Sequence, residues 1–194
     1  MPDMLWLASA SGFALATSIS PGPVNFLTLS ATLRGHIRAS LAFISGATLG
    51  FTLQLLLLGL VMQPLFATLP WLADALHWGG IAFLLWMAWL LWHAGASAHD
   101  PTAKIPGFRL GVLLQWMNPK AYLVIAAAVG LYVGRDLTRL YALAAIYTVL
   151  CWLSLAAWIA LGLLLRRHVQ SPRAMRLINR ALALLLLASI VMMG

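Results

Sequence analysis

The sequence predicts an all-α integral membrane protein. Six transmembrane helices are expected, in two inverted three-helix repeats, with helices 1 and 4 broken by proline. The composition is 63% hydrophobic and only 8% charged, whereas a soluble domain carries about 25% charged residues. The apolar residues gather into runs close to the roughly 20 residues that span the hydrocarbon core. Two prolines interrupt such runs half a chain apart.

The first run extends from about Met4 to Leu33. One straight helix of that length would measure about 45 Å at 1.5 Å per residue, well beyond the core. Ser20-Pro21-Gly22-Pro23 divides it, which predicts a discontinuous helix. No Lys or Arg precedes Arg34, so this segment reads as a retained helix rather than a cleaved signal. Further spans are expected over about Ala39–Met62 and Trp71–His93. The polar stretch from Ala94 to Pro106 then serves as a hinge. The fourth run, about Phe108–Val133, contains Asn118-Pro119-Lys120. A fifth covers about Leu140–Leu165 and a sixth about Leu177–Met193, the last requiring Arg180 to snorkel. A single membrane domain over 1–194 follows, with repeat 1 at about 1–94, a linker at 95–106 and repeat 2 at about 107–194.

The net charge of +8 arises from twelve basic residues against four acidic ones. They lie in short loops between apolar runs, which points to membrane topology and away from nucleic acid. Arg34, Arg38, Lys104, Arg109, Arg166, Arg167, Arg173, Arg176 and Arg180 would share one side. Arg135 and Arg139 are left on the other. The positive-inside rule then places both termini outside the cytoplasm.

Ser20-Pro21 and Asn118-Pro119 each interrupt the first helix of a three-helix half. Three is odd, so the second half enters from the opposite side and the two breaks meet near the midplane. Proline removes a backbone donor and leaves nearby carbonyls and amides without partners. In hydrocarbon such groups require protein, water or substrate. The half-helices that start at the two breaks would aim free amides inward, a setting that favours a carboxylate. The candidate substrate-binding residues are therefore Ser20, Pro21, Gly22, Pro23, Asn25, Asn118, Pro119 and Lys120. Ser18 adds a further hydroxyl. Lys120 is the one formal charge deep within a span, about 16 Å beyond Arg109. Its expected partners are a substrate carboxylate or the carbonyls freed at the first break.

Other features carry less. Ala42, Gly46 and Gly50 form a small-residue stripe suited to close helix packing, and Gly130 with Gly134 repeats it more weakly. Gln54 is the strongly polar side chain of the second span and is an accessory candidate. Cys151, the single cysteine, reads as a small core residue and permits no internal disulfide. The histidines near span ends have no ligand spacing and no acidic partners, so no metal or other cofactor is expected. Paired nucleophile and base are also missing from the pattern, so no catalytic residues are assigned and an enzyme is not expected.

Taken with Leu29-Ser30, the basic turn Arg34-Gly35-His36-Ile37-Arg38, and Gly46 and Gly50, the elements Ser20-Pro21-Gly22-Pro23-Val24-Asn25 and Gly111…Asn118-Pro119-Lys120-Ala121 resemble the LysE/RhtB family of bacterial amino-acid exporters. The resemblance covers nearly the whole chain. It implies export of amino acids or related metabolites across the inner membrane, driven by an ion gradient, a proton being one candidate. Partners would be the substrate, the coupling ion and the lipid bilayer, with homo-oligomerisation left open. Two departures matter. The family usually has a polar residue where this chain has Val24, and commonly an acid where it has Phe51. With Asp3, Asp74, Asp100 and Asp136 all at span ends or in loops, a neutral or apolar substrate is expected over a cationic one. Export of a small ion or other metabolite, and a non-transporting membrane subunit, are the alternatives.

Overall fold

The computed structural model describes residues 2–68, 106–133 and 136–166, together with single positions between 78 and 93 and between 173 and 187. Most of the expected third and sixth spans, and the expected hinge, lie outside the described residues. Those described are helical apart from short connections. Helices α1 (Met4–Ile19), α2 (Pro23–Leu33) and α3 (Ile37–Thr68) make up the first half. The second contains α4 (Phe108–Trp116), α5 (Pro119–Ala128) continuing into a π-helical turn (Val129–Val133), and α6 (Leu137–Arg166). Within them, Ile37–Val61 and Leu137–Arg166 are each long and apolar enough to cross a membrane. The α4–α5 pair, bent by 66° at its break, passes the same test as one span.

Local chemistry explains the ends of these elements. Asp3 caps α1 by accepting from the Trp6 amide at 2.8 Å, and Asp136 caps α6 by accepting from Thr138 and Arg139. Both acids therefore serve helix N-termini, where a negative charge is favourable. Pro23 and Pro119 occupy first-turn positions of α2 and α5, where the missing N–H costs nothing. The other end of α2 is a Schellman motif. The His36 amide donates to Ala31 O and the Gly35 amide to Thr32 O, and Gly35 takes φ +91°, a conformation that favours glycine. Arg166 lays its guanidinium against Gly35, within 2.7 Å of where a Cβ would stand.

Helix α2 occupies the middle of the described bundle, with all of its residues buried except Leu27. It packs on α3 and α6, and α1 packs on α6. Its polar side chains would be costly there without partners. Thr28 and Thr32 donate to the carbonyls one turn back, at 2.8 Å each. Two apolar clusters lie on either side of the bundle centre. One joins Val24, Phe26 and Leu29 to Phe43, Ile44, Leu155 and Ile159. The other joins Ala10 and Ala14 to Phe51, Ala121, Ile125, Leu143 and Tyr147.

The α3–α4 crossing fixes the second half against the first. A Cβ on Gly46 would strike Phe108 O, and one on Gly111 would strike Phe43 O. Gly50 rides over Val112 at 3.2 Å. The stripe seen in the sequence is thus a backbone-to-backbone contact, whereas Gly130 faces open space and makes no close approach. Because backbone cannot step aside, Gly111→Val will destabilise the folded protein by about 1–3 kcal/mol. Thermal unfolding in detergent will register this as a lowered midpoint, while Gly12→Ala, with nothing within 4 Å, will not lower it, since Ala is the better helix former.

Candidate functional site

The interval between α1 and α2 is three residues, Ser20 to Gly22, in extended backbone. It leaves the last carbonyls of α1 and the first amides of α2 without helical partners. On the carbonyl side, Ser20 Oγ donates to Thr17 O at 2.9 Å and Asn25 Nδ2 to Ser18 O at 3.1 Å. Trp158 Nε1, from α6, donates to Ile19 O at 3.1 Å. Lys120 reaches across from α5 and donates to Ser20 O and Ser20 Oγ at 2.8 Å each, and to Pro21 O at 3.2 Å. Three bonds use all three ammonium protons. On the amide side, Phe26 closes onto Gly22 O, and no side chain caps the N-terminus of α2.

The second break is built differently. Asn118 Oδ1 accepts from the Lys120 amide at 3.2 Å, and the Ala121 amide bonds to Asn118 O. Tyr122 Oη donates to Trp116 O at 2.7 Å. The expectation that α5 aims free amides into its break is corrected here. Asn118 is a side-chain N-cap and consumes the first of them.

Between the breaks lies a cavity of about 40 Å³, with room for a few waters. Asn25, Asn118 and Lys120 line it, facing Thr17, Ser18, Gln115, Tyr147 and Cys151 as well as the apolar Val24, Phe51 and Leu155. Ser20 and Pro21 meet it through Lys120. Gly22 makes room for that side chain, since a Cβ there would stand 3.3 Å from Lys120 Cδ and 3.4 Å from Nζ. Pro23 and Pro119 act as helix starters set back from the cavity wall. Gln54 is fully buried and does not line the cavity.

Sequence reading passed over Thr17, Gln115, Tyr147 and Cys151 as site residues. Gln115, polar in an apolar run and three before Asn118, was a usable signal; Asn118 Nδ2 points to its Oε1 at 3.5 Å. Tyr147 gave none, because a tyrosine within a span reads as core. Its ring packs on Phe51 with centroids 4.8 Å apart, and its hydroxyl lies 3.2 Å from Thr17 Oγ1. Phe51 thus puts an aromatic wall where an acid would supply charge.

Gly22 has an extended backbone that any residue adopts, so its role is spatial. Gly22→Val will push the ammonium off its acceptors and destabilise the protein by about 1–3 kcal/mol, the scale of unsatisfied buried polar groups. Gly22→Ser will have the smaller effect, and unfolding midpoints in detergent compare the two.

The family model described as LysE type translocator matches residues 15–191. Among curated relatives, the cysteine/O-acetylserine efflux protein of Salmonella choleraesuis strain SC-B67 is 32% identical over 121 residues. Those of Escherichia coli K12 and Klebsiella pneumoniae are 30% and 29% identical over the same length. Each alignment covers 62% of this chain and 62% of the relative. No solved structure matches. The chain therefore belongs to the LysE type translocator family.

Proposed function

We propose that this protein is a secondary transporter exporting amino acids or close derivatives across the bacterial inner membrane, favouring neutral or apolar substrates over cationic ones. The observation that carries this reading is the charge pattern around the central cavity. A lysine ammonium and the uncapped start of α2 converge there. No Asp or Glu among the described residues faces them. Such a setting attracts a carboxylate and offers nothing anionic to a lysine or arginine side chain. Asn25 and Asn118 supply neutral groups for orientation, and Thr17, Ser18, Tyr147 and Cys151 suit a small side chain. The efflux relatives carry names that point to the same class.

In this reading α1–α2 and α4–α5 are two discontinuous spans of an inverted repeat, each completed by its long partner, α3 or α6. The cavity is far below the roughly 300 Å³ at which ligand pockets begin. This conformation is then a closed one, and substrate enters as one apolar cluster parts from the other. The basic residues favour both termini in the periplasm, and a reporter fused at Gly194 will read periplasmic; a cytoplasmic signal overturns that orientation.

Exchange in proteoliposomes, against a panel of amino acids and with an imposed pH gradient, tests the transport reading. Neutral amino acids will exchange at least about tenfold faster than lysine or arginine, matching the cost of placing a cation where no anion waits. Preference for lysine or arginine would refute the specificity. Lys120→Ala will lose uphill export while its membrane level stays normal, and unchanged export would remove Lys120 from the site.

A further inference from the structure

Asn25 keeps a buried acceptor in reserve at the first break. The residue is only 5% exposed, and its Nδ2 donates to Ser18 O at 3.1 Å. A carbonyl can only accept, so the amide nitrogen faces Ser18 and Oδ1 is turned the other way. No hydrogen bond among the described residues reaches that oxygen. A Cβ on Gly22 would stand 3.5 Å from Asn25 Oδ1 and 3.4 Å from Lys120 Nζ. An acceptor and a cation therefore border one gap beside the cavity that both residues line. Other oxygens there are already engaged. Asn118 Oδ1 accepts from the Lys120 amide, and Asn118 Nδ2 points to Gln115 Oε1. The hydroxyls of Thr17 and Tyr147 face each other at 3.2 Å.

We infer that Asn25 Oδ1 accepts the substrate's α-ammonium while Lys120 and the start of α2 hold its α-carboxylate, so that the site requires a free α-amine. This rests on the amino-acid exporter reading above. The two charged groups of an amino acid stand on one carbon, as the acceptor and the cation border one gap. Lys120 stays charged and in place, because an N–H can be shared between two acceptors. The ammonium of the substrate then makes a charge-assisted bond to a buried amide oxygen. A carboxylate without the amine leaves that oxygen dehydrated and unpaired, which is costly. An N-acylated amino acid loses the cation and adds bulk at the narrowest point. Changes confined to the substrate side chain leave both contacts intact. Asn25 is thus the residue that separates amino acids from simple carboxylates, which Lys120 and a helix N-terminus would hold equally well.

Calorimetric binding to the purified full chain in detergent tests the assignment with two matched pairs. L-Alanine is compared with propionate, and L-leucine with 4-methylpentanoate, each carboxylate lacking only the amine. The wild type will bind the amino acid of at least one pair at least about tenfold tighter than its carboxylate, the scale set by one charged hydrogen bond. Asn25→Leu will bring that ratio to within about threefold by weakening the amino acid and sparing the carboxylate. A general folding defect would instead weaken both ligands alike. Asn25→Ser, which keeps a smaller acceptor, serves where the leucine variant does not fold, and it will lower the ratio by at least about threefold. Carboxylates bound as tightly as amino acids by the wild type overturn the inference alone. So does a ratio unchanged in the Asn25 variants, which would move the ammonium to the Ser18 hydroxyl. If neither amino acid binds the wild type, the exporter reading itself fails and takes this inference with it.

Discussion

The contact on which the rest of the bundle centre depends joins Lys120 of α5 to the end of α1. One ammonium closes two carbonyls and a hydroxyl of Ser20 and Pro21, in the connection that directly follows the helix. It faces the negative end of the α1 dipole, where a cation is favourable. An uncapped helix end in such surroundings would be costly, and so would an unpaired lysine. Each solves the other's problem, and together they hold the two halves of the chain at a common centre.

Two further constraints make that meeting possible. Gly46 and Gly111 let α3 and α4 touch backbone to backbone, which brings the second half close enough for α5 to reach α1. Gly22 leaves the space through which the lysine stem passes. Around the centre, two apolar clusters share the cavity walls. Val24 and Leu155 belong to one, and Phe51, Ala121 and Tyr147 to the other.

The two breaks differ in how they are satisfied, and that difference explains what could be read in advance. Asn118 caps the second break from within its own turn, and Tyr122, four residues on, donates to Trp116 O. Those partners are neighbours in sequence. At the first break the partners come from α2, α5 and α6, with Lys120 and Trp158 respectively 100 and 139 positions away. Composition and spacing marked both breaks as breaks. They treated them as equivalent amide sources, which is where local reasoning missed the capping geometry of Asn118.

By itself the sequence determined the apolar, helical character of the chain and the positions where helices stop. Proline chemistry and hydropathy are local properties, and they act wherever the chain goes. It also singled out Lys120, because a charge within an apolar run needs a partner. Only the tertiary structure decided who that partner is. The reach of Lys120 to Ser20 O and Pro21 O depends on distances across the bundle, set by the α3–α4 crossing. Tyr147, Cys151 and Thr17 join the cavity for the same reason: each is an ordinary helix residue until packing turns one face of α6 or α1 toward the break.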